Sequence, residues 1–270
     1  MIKLYLMEAS PFLDAKNRER ALALSDDDRK ERVARMKQEK GRALSTAAGL
    51  LLSYAVAAFG EQEGNAPAAF GKWEGNAPAA GKTVHKNEAE GAFYFKEVKA
   101  AEAFAALAGK SPVKIKRTPG GKPFLESPRG LFFNLSHSGD YAVCAVADRE
   151  VGVDIQKEQE AFLSGLLNKV LHEEEKPFFF TDREKEGKPG CIEQEPKAHR
   201  FFEIWAAKEA YVKCTGEGLA KDFKELLTDF SKGEITDLRT GEKRRLYGSN
   251  RLSGYRIALC VPYTDFTQKG

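Results

Sequence analysis

In VGVDIQ, residues 151–156, Val151, Val153 and Ile155 alternate with Gly152, Asp154 and Gln156, the two-residue period of a half-buried strand. One face is apolar. The other carries a carboxylate and an amide two residues apart, about 7 Å along the strand, beside a glycine that leaves an open approach. In WAAKEAYVK, residues 205–213, Glu209 and Lys213 lie one helical turn apart on a face that also carries Trp205. The plain alternative is an exposed ion pair, but the aromatic suggests a face that meets protein or ligand. In NLSHSGD, His137 ends a strand beside Ser136 and Ser138, whose hydroxyls and neighbouring amides suit an anion, or simply form a polar hairpin tip. Adjacent Ser and His point to opposite strand faces, so they are no hydrolase pair. In GGKP, Gly120 and Gly121 permit backbone approach to a phosphate and Lys122 supplies charge ahead of Pro123, without Walker A spacing. A basic helical run, Arg29, Lys30, Arg32, Arg35, Lys37, Lys40 and Arg42, either binds phosphates or, as we favour for the run alone, forms a solvated face.

The chain that positions these groups has 270 residues, 42% hydrophobic and 31% charged, enough for a full core in one or two domains. Its net charge of +3 gives no global field for nucleic acid. Cys144, Cys191, Cys214 and Cys260 have neither metal-ligand spacing nor the look of a disulfide framework. MIKLYLMEAS is interrupted by Lys3 and lacks a signal-peptide core, and no apolar run reaches the ~18 residues of a membrane span. The expectation is a cytoplasmic protein with no membrane partner.

Residues 2–7 read as a strand and 25–60 as one or two helices, with Ser25 as N-cap and three aspartates in the first turn. Residues 60–90 repeat EGNAPAA and read as a low-complexity insertion. A short helix is expected over 97–107, a strand over 113–117, then the turn TPGGKP. Apolar alternation on both sides of Ser138-Gly139-Asp140 predicts a hairpin, with 151–156 following as a third run. Residues 161–180 read as an apolar helix, 181–197 as a charged loop, 198–219 as a helix stopped by Gly216 and Gly218, and 251–262 as a closing strand.

Taken in order, GKPFL, FNLSHSGDYAVCAV, VGVDI and FxxxWAxKEAYxKxxGxGL resemble the Sfp-type 4′-phosphopantetheinyl transferases. The specific signals fall in 120–156 and 201–219, with weaker similarity back to residue 25. The resemblance implies an α+β fold of two similar α/β halves related by a pseudo-twofold, 1–150 and 151–270, with the active site in the cleft between them. It implies transfer of the 4′-phosphopantetheine of coenzyme A to a serine of an apo acyl or peptidyl carrier protein, with release of adenosine 3′,5′-bisphosphate. Asp154 and Glu209 are similar to the family's magnesium ligands, with Gln156 standing where a glutamate is common. Glu209 matches the base and Lys213 a pyrophosphate contact, with Lys208 assisting. His137 and Ser136 match contacts to coenzyme A phosphates, Gly121, Lys122 and Pro123 the segment near the nucleotide, and Arg42, with Arg35 as helper, a 3′-phosphate site. Because carriers are acidic, 161–180 including Phe179 is the expected docking surface, and two halves in one chain suggest a monomer. The competing reading is a noncatalytic coenzyme A binding or interaction module in which Gln156 marks lost metal binding. RNA binding by the basic helix lacks interleaved aromatics.

Overall fold

The computed structural model describes residues 1–59, 94–159, 164–178 and 195–263. The repeat at 60–90, Cys191, Phe179 and most of the charged loop therefore lie outside the described residues. Strand β1 (Ile2–Glu8) leads through a 3-10 turn (Ser10–Leu13) into α1 (Ala15–Ala23), α2 (Asp27–Arg35) and α3 (Glu39–Ala58). Then come β2 (Tyr94–Glu97), α4 (Ala100–Ala106), β3 (Ile115–Arg117), β4 (Pro123–Leu125), β5 (Phe132–Ser138), β6 (Tyr141–Ala147) and β7 (Gly152–Lys157). The remainder is α5 (Ser164–Val170), α6 (Glu195–Thr215), β8 (Leu226–Asp229), β9 (Glu234–Asp237), β10 (Lys243–Ser249) and β11 (Tyr255–Pro262). Helix and sheet are mixed, as expected of an α+β chain.

Two sheets carry the architecture. The first has four strands in the order β2-β1-β6-β5, the second five in the order β7-β11-β10-β9-β8, and β3 and β4 form a separate hairpin. Helix α3 covers one face of the first sheet, packing Ala47, Leu51 and Ala55 with Tyr5, Met7, Cys144 and Val146. Helix α6 covers the second sheet through Phe201, Ala207 and Tyr211 against Leu246, Ala258 and Cys260. The opposite faces meet in a third apolar cluster, with Leu4, Leu6 and Val143 from one sheet and Val153, Ile155, Ile257 and Leu259 from the other.

The predicted alternation of 151–156 holds, but the strand is covered on both sides. Val153 and Ile155 are wholly buried between the sheets, while Asp154, on the face beneath α6, is only 1% exposed. Gly152 explains the cover. A Cβ there would lie 2.0 Å from the Ala210 carbonyl oxygen and 2.5 Å from the Cys214 amide nitrogen, so the open approach expected at this glycine is taken by the helix backbone.

Along β5, the side chains of alternate residues fasten β7 in place of a backbone ladder. Asn134 Oδ1 accepts from Val153 N–H at 3.2 Å, Ser136 Oγ donates to Asp154 Oδ1 at 2.6 Å, and Ser138 Oγ accepts from Lys157 N–H at 3.0 Å. Edge amides that would otherwise stay unpaired are thus satisfied across the seam.

Local signals were read with mixed success. The hairpin forms as expected, with Gly139 at φ 60°. Ser25 is not the N-cap: Asp26 is, its side chain accepting from Arg29 N–H, while the buried Ser25 hydroxyl donates to the Ala21 carbonyl. Within 161–180 the described helix is confined to Ser164–Val170, followed by a 3-10 turn at Lys176–Phe178.

Candidate active site

Asp154 gathers the site. Its Oδ1 accepts from Lys213 Nζ at 2.5 Å and from Ser136 Oγ at 2.6 Å, and its Oδ2 from Gln156 Nε2 at 2.7 Å. Lys213 Nζ also donates to Ser136 Oγ at 2.9 Å. Three elements, β5, β7 and α6, therefore converge on one buried carboxylate. Glu209, one turn before Lys213 on α6, is half-buried. Burial and the neighbouring charge of Asp154 raise its pKa above the ordinary glutamate value, with Lys213 opposing them. Two carboxylates that repel across a partly dry gap are a recognised setting for a cation or a proton.

The donor set suits a hard divalent cation. Magnesium is commonly held by one or two carboxylates plus substrate phosphate oxygens rather than by a full protein cage. Among the described residues no group of three or more His, Cys, Asp or Glu forms such a cage. Gln156 turns its N–H to Asp154, so in this arrangement the amide meets the carboxylate as a donor.

His137 follows Ser136 on β5 and is exposed, with the opposite outlook expected of adjacent strand residues. Crowding by surrounding protein, then the Arg29 and Lys213 cations, hold its pKa below the usual histidine range. Arg29 departs from the solvated face expected of the basic run: it is 8% exposed, donates to Ser45 Oγ at 3.2 Å, and carries a buried Nε with no hydrogen-bond partner among the described residues. The available signal was Val33, four residues on and also buried, which marks the inward stripe of α2. Gly49 makes the room: a Cβ there would touch Arg29 Cγ at 3.0 Å.

Lys208 is corrected. Its ammonium is wholly buried among Glu175 Oε2 at 2.6 Å, the Val170 carbonyl at 2.8 Å and the Phe223 carbonyl at 3.0 Å. One residue from Glu209 is about 100° around a helix, and here that turns Lys208 into the second core. Burial lowers its pKa, against the opposing effect of Glu175. It is a strut for the segment after α5, not a contact for coenzyme A.

Lys122 sends Nζ to the Cys214 carbonyl at 2.6 Å, placing a cation at the C-terminal end of α6, where unpaired carbonyls favour it. Lys122→Met should lower stability by about 1 kcal/mol, seen as a shifted urea midpoint at unchanged slope. Gly121 takes φ 83° and its carbonyl accepts from Arg117. Lys122 and Pro123 line a cavity of about 570 Å³ with Thr118, Phe124, Phe132 and Val151. Arg42 donates Nε to the Met36 carbonyl at 2.7 Å and Nη1 to Glu39 at 3.1 Å, so much of its guanidinium serves the start of α3. Arg35 pairs with Glu31 on the surface.

Comparison with known proteins gives the following similarities. The sequence model of the 4′-phosphopantetheinyl transferase superfamily matches residues 150–260. The chain is 24% identical over 157 residues to the 4′-phosphopantetheinyl transferase gsp of Aneurinibacillus migulanus, covering 57% of this chain and 61% of that protein. It is 38% identical over 114 residues to the 4′-phosphopantetheinyl transferase HetI of a Nostoc strain, covering 40% and 44%. To the 4′-phosphopantetheinyl transferase Sfp of Bacillus subtilis it is 24% identical over 164 residues, covering 59% and 67%. The chain thus spans less than two thirds of the length of the first of these relatives. The matched segment contains Asp154, Gln156, Glu209 and Lys213, so over residues 150–260 the chain is similar to the 4′-phosphopantetheinyl transferase superfamily, and beyond them to Sfp-type members.

Proposed function

We propose that this protein transfers the 4′-phosphopantetheine group of coenzyme A to a serine of an apo acyl or peptidyl carrier protein, releasing adenosine 3′,5′-bisphosphate. The observation that carries the proposal is the meeting of Asp154 and Lys213, both in the segment matched to the family, with Ser136 of β5, and with Glu209 close enough to feel the charge of Asp154. We take the two sheets with their helices as the two halves, 1–150 and 151–270, the site lying at their seam. A cytoplasmic monomer that binds neither nucleic acid nor membrane is the state we assign; among the described residues no helix is long and apolar enough to cross a membrane.

In the reaction, the carrier serine oxygen forms a bond to the pantetheine-side phosphorus of coenzyme A. The bond from that phosphorus to the bridging pyrophosphate oxygen breaks, and its electrons leave with adenosine 3′,5′-bisphosphate. Glu209 accepts the serine proton, a task to which a raised carboxyl pKa is suited. Asp154 and Glu209 would hold a magnesium ion, which when bound would supply charge neutralisation at the phosphate oxygens. Lys213 faces the coenzyme A pyrophosphate and counters the charge that collects on the departing 5′-phosphate, and Ser136, with the neutral imidazole of His137, hydrogen-bonds the pyrophosphate oxygens. Arg29 adds fixed positive charge behind His137. Gly121, Lys122 and Pro123 flank the nucleotide, and Arg42 meets the 3′-phosphate.

The test is direct. Purified protein, coenzyme A, magnesium and an apo carrier should yield a carrier heavier by one phosphopantetheine group in intact mass spectra. Failure with both acyl and peptidyl carriers would sink the proposal. The orientation of Gln156, which offers Asp154 an N–H, favours a second reading, a noncatalytic coenzyme A binding module. Calorimetry separates them, because only the enzyme should bind coenzyme A more tightly with magnesium present.

A further inference from the structure

We infer that Lys213 is an exchangeable counter-ion of Asp154 which links entry of the divalent cation to entry of the coenzyme A pyrophosphate, an inference that rests on the transferase reading above. Both oxygens of Asp154 already accept from N–H or O–H groups: Oδ1 from Lys213 at 2.5 Å and Ser136 at 2.6 Å, Oδ2 from Gln156 at 2.7 Å. A carboxylate this buried needs such compensation. Three donors on about four lone-pair sites leave a metal little of this carboxylate, and the one cation among them would repel it. One donor has to leave first.

Lys213 is the donor able to leave. Ser136 is a buried rung of the seam, and Gln156 sits on the same short strand as Asp154. The Lys213 side chain, by contrast, is 27% exposed where that of Asp154 is 2% exposed, and its ammonium rides on a flexible four-carbon stem. Withdrawing it without replacement would leave a buried anion uncompensated, and adding a dication without withdrawing it would crowd two cations onto Asp154. An incoming pyrophosphate removes the conflict, because it gives the Lys213 ammonium a new anionic partner just as Asp154 turns to the metal. Each ligand thereby makes the other's place, and the coupling is reciprocal.

Manganese(II), whose free ion is read by electron paramagnetic resonance, tests this without turnover. For the wild-type protein, manganese affinity should rise about tenfold when coenzyme A is present, and should not rise with adenosine 3′,5′-bisphosphate, which lacks the pyrophosphate. Lys213→Met should bind manganese about tenfold more tightly than wild type without coenzyme A and lose most of the enhancement. Lys213→Arg, which keeps the cation, should retain it and serves also if the methionine variant misfolds. Equal enhancement by coenzyme A in the wild-type and Lys213→Met proteins, or enhancement by the bisphosphate alone, would overturn the exchange while leaving the transferase reading intact. If neither manganese nor coenzyme A binds the wild-type protein, the transferase reading itself fails.

Discussion

Glu209→Gln should yield a folded protein whose conversion of apo to holo carrier falls by about 10²- to 10⁴-fold, the usual range for loss of a positioned general base. Glutamine keeps the shape of the side chain and removes the charge and the proton acceptor. The same substitution should slightly stabilise the fold. Burial and Asp154 raise the Glu209 pKa above its ordinary value of 4.5, so the folded state holds this proton more tightly than the unfolded chain does. The associated stability is complete below the ordinary value and is lost as pH rises through the raised one. At neutral pH the ionised group is a burden on the folded state, which glutamine lifts. Urea unfolding of both proteins at pH 4 and pH 7, without metal, should show a gain for the variant at pH 7 that shrinks or vanishes at pH 4. A variant that is less stable at pH 7, or as active as wild type, contradicts the assignment.

Gly152→Ala should be the most disruptive small change in the chain. The new methyl would stand 2.0 Å from the Ala210 carbonyl oxygen and 2.5 Å from the Cys214 amide nitrogen, both of them backbone atoms of α6 that cannot rotate aside. The helix has to lift, opening apolar contacts that include Cys260 and Ala258 and drawing Lys213 away from Asp154. Overpacking on this scale costs about 3 kcal/mol or more, which in a chain of this size lowers Tm by about 10 °C. Gly120→Ala is the control, since the nearest atom to its added Cβ is Thr118 Oγ1 at 3.9 Å; it should stay within about 0.5 kcal/mol of wild type. Comparable melting curves for the two variants would mean that α6 and β7 do not approach as described.

The candidate site residues were more legible than the frame that holds them. Asp154, Glu209, Lys213 and Ser136 are polar groups at strand or helix spacing inside apolar runs, and the order of their motifs, in its resemblance to a family, is what sets them apart from an ordinary ion pair or hairpin tip. The strands Leu226–Asp229, Glu234–Asp237 and Lys243–Ser249 were not anticipated, being short and interleaved with charge, so that their alternation is weak. Strand β2 and helix α1 also went unread. The resemblance sets Lys208 beside Lys213 at the pyrophosphate and the charge run sets Arg29 on a solvated face, and each expectation fails on a buried partner. For Lys208 that partner is Glu175, 33 residues away, and for Arg29 it is Ser45, 16 residues away. Pairings of that reach are properties of the packed chain and leave no local trace.

Asn134, Ser136 and Ser138 stand as three successive studs along one edge, and the middle one also touches the charge at the centre of the site. The outer two hold amide hydrogens of β7, so their loss should register as faster deuterium uptake at Val153 and Lys157 before it registers in turnover. A segment that looks like a ligand-binding signature is thus also a fastener between the two sheets, so a substitution in it would act on both duties at once.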